Sequence, residues 1–440
     1  RARVYNRRVP INSSVSGAEV TMPTWIREHI LLLPLLLAHA AVQMYGILDP
    51  LLRGHKGFSA ALTGIIARNY VRHGYLATRF APVWLAGPAD PSELAAHYHL
   101  RHPSLRYLLA SFFLRLLGDE PWVTALMSVL FSLGTAVCLY LLVRRIWNKW
   151  TALLAVAFLT VLPIEAYYGS IVSHEPLELF FAVLALLLYH HWRESGWQRH
   201  LIGMFAALAL GVYAGWAGFY VITLIALYHL VFGPRRWQTL AFAAMLGVFA
   251  VALAASWLGY AASLLGSVKP FLVGLKTRIG TGESANFSMA AFYRVEYMRV
   301  REFFTPTIRL LAVIWSASFV CDAVRGRRLE RHGYLVLFLL YGLAQVLIFS
   351  QGAMVHDYWL FFLIPFFSVS AAVAVDTLAR AVSGHRRLVF AGLSVAVWAF
   401  YMPSAMAEIK ELYRPRDAGE MRLARRLNAL TDFSERVLLG

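Results

Sequence analysis

One feature recurs along this chain: apolar runs long enough to cross a lipid bilayer, separated by short basic connections. A spanning helix needs about 20 mostly apolar residues, because its backbone must satisfy its own hydrogen bonds in hydrocarbon. Such runs occupy residues 30–48, 122–143, 152–168, 177–190, 201–215, 219–232, 240–258, 308–321, 334–349, 359–375 and 388–402. The spacing predicts an all-α polytopic membrane protein with about eleven transmembrane helices, 201–215 and 219–232 being short enough to form one broken pair. Composition agrees. Hydrophobic residues make up 59% of the 440 and charged residues 15%, whereas a soluble domain carries roughly 25% charge. So few charges cannot cover a water-facing surface. The same numbers exclude a disordered chain, a collagen and a small disulfide scaffold. The two cysteines, Cys138 and Cys321, lie in separate apolar runs, which gives no reason to expect a disulfide or a thiolate metal site.

The formal charge is +17. Its distribution argues against nucleic acid, because the basic residues cluster between apolar runs. Arg144, Arg145 and Lys149 share one connection, Arg193 and Arg199 the next, then Arg235 and Arg236. Arg325, Arg327, Arg328 and Arg331 follow, then Arg386 and Arg387. The positive-inside rule makes all of these cytoplasmic in one consistent alternation. Residues 1–29 are then a cytoplasmic segment and 30–406 the membrane domain. Residues 407–440 read as the start of an outer C-terminal domain that is truncated, with a polar helix and a strand start at 436–439. The first apolar run is long and lacks a small-residue cleavage site, so it reads as a span rather than a cleaved signal, and Met22 is a candidate start. The non-cytoplasmic stretches 49–120 and 259–306 exceed simple turns. Within the first, 58–73 and 104–117 have the apolar spacing of amphipathic helices lying in the interface.

Acids are scarce, so their positions inform. Asp49, Asp90, Glu93, Asp119, Glu120, Glu165, Glu175, Glu178 and Asp357 fall in outer loops or at outer span ends, not at mid-membrane. Ion-coupled transporters place carboxylates near the midplane. This pattern instead suits a site at the outer surface. Four stretches concentrate polar chemistry there. They are Ile66-Ala-Arg-Asn-Tyr-Val-Arg-His-Gly74, Tyr98-His-Leu-Arg-His-Pro-Ser-Leu105, Ser173-His-Glu-Pro-Leu177 and His356-Asp-Tyr358.

In this order, on this topology, the four stretches resemble the polytopic glycosyltransferases of the C-type fold. The resemblance is to the branch near protein O-mannosyltransferases and aminoarabinose transferases, and it extends over nearly the whole chain. It implies transfer of a sugar from a polyprenyl-phosphate donor to a lipid, glycan or protein acceptor at the outer face of a prokaryotic inner or plasma membrane. It also implies no nucleotide-sugar fold, and no Rossmann glycine motif is present. A prenyl tail stays in the bilayer while its phosphate sits at the interface, where arginine and histidine can neutralise it. A carboxylate then takes the acceptor hydroxyl's proton.

The candidate catalytic residues are Glu175, His174 and Asp49. The candidate substrate-binding residues are His55, Arg68, Asn69, Tyr98, His102, His356, Asp357 and Tyr358. Lys269, Lys276 and Arg278 are further contacts. One departure stands out: members of the branch carry an acid eight residues before the Ala of the Ala-Arg pair, where this chain has Ser59. A serine alone is a poor base, which directs attention to Asp49 and Glu175. Plainer readings accompany each residue. Glu175 caps a helix N-terminus, Arg68 and Asn69 face headgroup water, and His102 is a turn residue before Pro103. A divalent metal is a possible cofactor, although no tight carboxylate cluster is visible. The rival function is a non-catalytic lipid-sugar binder or a flippase-like transporter.

Overall fold

The computed structural model describes residues 28–45, 47, 55–87, 90–234, 237–281, 288–382 and 385–414. Its helices are α1 Leu32–Met44, α2 His55–His73, α3 Leu105–Leu117, α4 Pro121–Ile146, α5 Lys149–Thr160, α6 Pro163–Tyr168, α7 Glu175–Ser195, α8 Gln198–Ala214 and α9 Gly218–Phe232. They continue as α10 Trp237–Leu265, α11 Lys269–Ile279, α12 Met289–Phe303, α13 Pro306–Val324, α14 Glu330–Ile348, α15 Ser350–Val355, α16 Ile364–Ala381 and α17 Arg386–Leu412. Short 3₁₀ turns precede Tyr98 (Pro91–His97) and α16 (Asp357–Leu363). Among the described residues the only β pairing is an isolated bridge, Val83 to Tyr98. The strand start expected at 436–439 lies outside them.

Each of the expected apolar runs is helical over most of its described residues. Six helical stretches are long and apolar enough to span by themselves: Pro121–Ile146, Trp237–Leu265, Pro306–Val324, Glu330–Ile348, Asp357–Ala381 and Arg386–Leu412. Leu32–Met44, Lys149–Thr160 and Gly218–Phe232 are shorter and apolar. The runs 201–215 and 219–232 form two separate helices, α8 and α9, with an extended Gly215 between them. The run 152–168 is also two helices. Leu162 is held extended ahead of Pro163, which ends α5 and opens α6. That break matters, because it frees 169–174 to form the loop before α7. The last helix runs through residue 406 to Leu412.

Local chemistry sets several boundaries. Asn148 accepts from the amides of Trp150 and Thr151 at 2.9 and 3.0 Å and starts α5. Proline occupies the first turn of α4, α6, α7 and α13, where no amide partner is needed. Gly196, at φ 71°, closes α7 with its amide on Trp192 O and turns the chain into α8. Packing then sorts the helices. The stretch Asp357–Ala381 is buried at the centre, with α16 against α13 and α5. By contrast α10 and α17 are peripheral and turn Val248, Val251, Val395 and Phe400 outward, as lipid-facing helices do.

The two ends of the bundle differ. At one end the basic connections are tied by ion pairs: Arg145–Glu194 at 2.9 Å, Arg193–Glu330 at 2.9 Å, and Arg380 and Arg386 on Asp376 at 2.5 and 2.8 Å. Helix α7 carries Arg193 at that end and Glu175 at the other. Its 21 residues span about 31 Å at 1.5 Å per residue, the thickness of the hydrocarbon layer.

Candidate active site

The loop after α6 delivers Ser173, His174 and Glu175 to the N-terminus of α7, with Pro176 allowed in the first turn. Helix α3 supplies the organising side chain. The buried Arg106 guanidinium donates to His174 Nδ1 at 2.9 Å and to Ser173 Oγ at 3.3 Å, and also bonds the Tyr107 hydroxyl. A guanidinium can only donate, so Nδ1 must accept and the ring's proton sits on Nε2. That nitrogen lies 3.1 Å from Glu175 Oε1 and 3.8 Å from Glu178 Oε2. Burial first, then the charges of Arg106 and Arg278, hold His174 well below the usual imidazole range, so the ring is neutral. His102 packs on it with ring centres 4.6 Å apart. Arg278, from α11, donates to His102 Nε2 at 3.2 Å. His102 is likewise pushed well down, by burial and then by His174 and Arg278.

A second group sits beside the first. His55 Nδ1, at the start of α2, lies 3.1 Å from Asp357 Oδ1, and the Tyr168 hydroxyl donates to Asp357 Oδ2 at 2.7 Å. The His356 Nδ1 and Tyr358 hydroxyl are 3.2 Å apart. The His55 ring centre is 5.0 Å from His356 and 5.4 Å from Tyr358. Burial, followed by the charges of His55 and Arg278, takes His356 down to about 4. Tyr358 links the two groups, because the charges of Glu175, Arg106, Asp357 and Arg278 all act on it.

The structure therefore brings together His55, His102, His174, Glu175, His356, Asp357 and Tyr358. Arg68, Asn69 and Tyr98 have other partners. Arg68 Nε donates to Asp119 at 2.7 Å in a pair whose side chains are 34% and 59% exposed. Asn69 donates to Val83 O and Leu85 O, both at 2.9 Å, and so holds the loop after α2. Tyr98 packs with Ala81, Leu100, Trp257 and Ala261. Asp49 lies outside the described residues. Ser59 is buried on α2.

Tyr168 and the outer-side acid Glu178 take part as well, and so do Arg106 and Lys56, which no sequence pattern marks. Arg106 is the residue after the His-Pro-Ser-Leu run, where an arginine on an amphipathic helix reads as solvated. Lys56 is buried. Its ammonium donates to Tyr167 O, Ser170 Oγ and Tyr413 OH at 2.7, 3.1 and 3.4 Å and lies over the rings of Tyr167 and Tyr413. Burial pulls it down to about 7.

The arrangement leaves reactive atoms open. Arg106 Nε, His102 Nδ1 and both oxygens of Glu175 are buried without a hydrogen-bond partner. Unused donors beside an unused carboxylate can bind an anion and accept a proton. Among the described residues no group of three or more His, Cys, Asp or Glu is placed to hold a metal ion.

This bundle, with its site at one end between α3, α7 and the turn before α16, has the C-type glycosyltransferase fold. More particularly, it is the fold of the ArnT and protein-mannosyltransferase type. Residues 101–260 match the family model of dolichyl-phosphate-mannose-protein mannosyltransferase. Among solved structures, ArnT from Cupriavidus metallidurans bound to undecaprenyl phosphate superposes with a TM-score of 0.62 at 12% identity, covering 92% of this chain and 81% of that one. The archaeal oligosaccharyltransferase AglB from Archaeoglobus fulgidus, in complex with an inhibitory peptide and a dolichol-phosphate, gives 0.55 at 13%, covering 93% of this chain and 59% of that one. An Archaeoglobus fulgidus oligosaccharyltransferase solved in complex with zinc and sulfate gives a TM-score of 0.56 at 14% identity, covering 90% of this chain and 55% of that one. No curated protein sequence matches the chain.

Proposed function

We propose that the chain is an integral-membrane glycosyltransferase that moves a sugar from a polyprenyl-phosphate carrier to an acceptor at the outer face of a prokaryotic membrane. One observation carries the reading. Two guanidiniums, Arg106 and Arg278, each engaged by a neutral histidine, stand beside a fully buried carboxylate with open oxygens. Phosphate is the ligand that suits planar donor forks. The titles of the superposing structures, with undecaprenyl phosphate in one and dolichol-phosphate in another, support the same donor class.

Each residue then has a task. Arg106 and Arg278 bind the carrier phosphate and stabilise the charge it gains as the anomeric carbon–oxygen bond breaks. Glu175 accepts the acceptor hydroxyl's proton as that oxygen bonds to the sugar. His174 Nε2–H orients Glu175. The group of His55, Asp357, Tyr168, His356 and Tyr358 holds the sugar or acceptor hydroxyls. Placement at the outer face rests on the basic connections, which occupy the far end of α7 and mark the cytoplasmic side.

The test is transfer from a polyprenyl-phosphate sugar by detergent-purified protein, with Glu175→Gln and Asp49→Asn beside wild type. Glu175→Gln should stay folded by thermal melting and lose on the order of 10²-fold or more in turnover. A folded Glu175→Gln with wild-type turnover would reduce Glu175 to a helix cap.

A further inference from the structure

The reading of Glu175 as the base leaves Glu178 unexplained. Glu178 lies one turn further along α7 and is 1% exposed, while Glu175 is 0% exposed. Its Oε1 accepts the Ala217 amide at 2.7 Å, at the start of α9, and its Oε2 is buried with no hydrogen-bond partner. The chain shapes a niche for it. Gly215 is fully extended (φ −177°, ψ 179°), and a Cβ there would run into Glu178 Oε1 and come within 2.8 Å of His174 Cδ2. Among the described residues the ring nitrogen that lies near both carboxyls is His174 Nε2, at 3.1 and 3.8 Å, and that ring is neutral.

We infer that Glu175 and Glu178 work as one carboxyl pair that holds a single proton in the resting protein, with the proton on Glu178 and the charge on Glu175. The inference rests on the reading of Glu175 as the base and adds the residue that governs its charge. Two buried carboxylates acting on each other across one helical turn cannot both ionise without a cation between them. The surrounding charges decide which one does. Burial pushes the Glu175 carboxyl up, and the charges of Arg106 and His55 oppose that, with Arg278 also acting on it; of these charges, Arg106 also acts on Glu178. The groups facing Glu178 from α9 and α14 are the hydroxyls of Tyr220 and Tyr341, which interact with it electrostatically. Both hydroxyls are buried without a hydrogen-bond partner, and Tyr341 is 3% exposed. They are the acceptors that a proton on Glu178 Oε2 needs, directly or through an internal water.

The pair fits the transfer step. The acceptor O–H bond breaks and its proton goes to Glu175, while the oxygen bonds to the anomeric carbon. The bond from that carbon to the carrier phosphate breaks, and its electron pair leaves with the phosphate. Glu178, already neutral, adds no second negative charge beside that developing phosphate. Glu175 then returns its proton to the released phosphate or to water. Glu178 touches no substrate in this scheme; it is a positioning residue that sets the charge of Glu175.

The experiment is infrared difference spectroscopy on the purified, full-length resting protein across pH, with glutamate carbon-13 labelling to identify carboxyl bands. At neutral pH the protonated-glutamate signal should contain a component that is lost in Glu178→Gln and kept in Glu165→Gln, which removes another buried acid. In Glu175→Gln the band should titrate at lower pH, because the neighbouring charge is gone. Transfer gives the second readout. Wild type should lose turnover at alkaline pH as the pair gives up its last proton. Glu178→Gln has no such proton, so whatever its rate at neutral pH, that rate should show no fall at alkaline pH. A band unchanged in Glu178→Gln overturns the pair, and so does one whose titration ignores Glu175→Gln. The two readings fail separately. Expected bands without transfer from any polyprenyl-phosphate sugar would remove the transferase reading and leave the pair. Loss of transfer in Glu175→Gln with no such band would do the reverse.

Discussion

Arg106, on α3, and Arg68, on α2, are both arginines on helices of the 49–120 stretch, and the structure gives them different energetic weight. Arg106 is 4% exposed and gives its guanidinium to His174, Ser173 and Tyr107. Replacing it with Ala removes a charge-assisted bond to His174, at about 1.5–3 kcal/mol, and a phosphate contact of similar size. The sum, about 3–6 kcal/mol, corresponds to a fall of about 10²–10⁴-fold in kcat/KM for the lipid-linked donor. Arg106→Lys keeps the charge but not the fork that reaches His174 and phosphate together, so it should recover only part of the loss. Arg68 is paired with Asp119 in water, where such a pair is worth about 0.2–1 kcal/mol. Arg68→Ala should therefore cost less than about fivefold. The assay is steady-state transfer over a range of donor concentration, with thermal melting to show that each variant is folded. An Arg68→Ala loss as large as that of Arg106→Ala would refute the placement of the phosphate. So would a folded Arg106→Ala with wild-type donor kinetics.

Two further outcomes follow from the burial of Lys56 and from the charge pattern. Lys56 falls from 10.5 to about 7 in the folded protein, so the unfolded chain binds that proton more tightly, and stability should rise with pH from about 7 to about 10.5, by up to about 1.4 kcal/mol per pH unit. The melting temperature of wild type minus that of Lys56→Met should climb through that window. Parallel curves would mean that Tyr167 O, Ser170 and Tyr413 hold a charged ammonium instead. Single cysteines at the exposed positions Arg145 and Arg327 should be labelled only from the cytoplasmic side, and those at Ser92 and Lys269 only from outside. Reversed labelling at two of the four sites would invert the topology and move the site to the cytoplasm.

The spans were legible because lipid-facing and core-facing helices are both apolar, so hydropathy finds each one whatever it packs against. The break at Pro163 was not legible that way. The residues on both sides of it are apolar, and an average over a window passes across the extended Leu162. The site was legible where its residues sit in compact runs, as His174 and Glu175 do, or His356, Asp357 and Tyr358. Facing was not. Whether an arginine on an amphipathic helix turns to water or to the bundle depends on what packs over it. The same turn of α2 that offers Asn69 as a ligand uses it to fasten the carbonyls of Val83 and Leu85. Arg106 carries the opposite lesson: on a helix with charge toward solvent it turns inward, because the loop before α7 presents it with a ring nitrogen and a hydroxyl.

Ser59 gives the last step of the argument. Helix α2 reaches the site with His55 and buries Ser59 one turn further on. A hydroxyl cannot take a proton at neutral pH without a partner base, so basicity has to come from another element. Asp357 already accepts from Tyr168 at 2.7 Å and contacts His55 at 3.1 Å, and a carboxylate so engaged is a weakened base. His174 and His102 have their accepting nitrogens occupied by guanidiniums. Glu175, beside His174 Nε2 at 3.1 Å, is the carboxylate of this group that carries no neighbouring hydroxyl donor as close as the one on Asp357. On the proposed reading, the burden that a first-loop acid would carry falls to Glu175 at the start of α7, and Asp49 remains the alternative that Asp49→Asn tests.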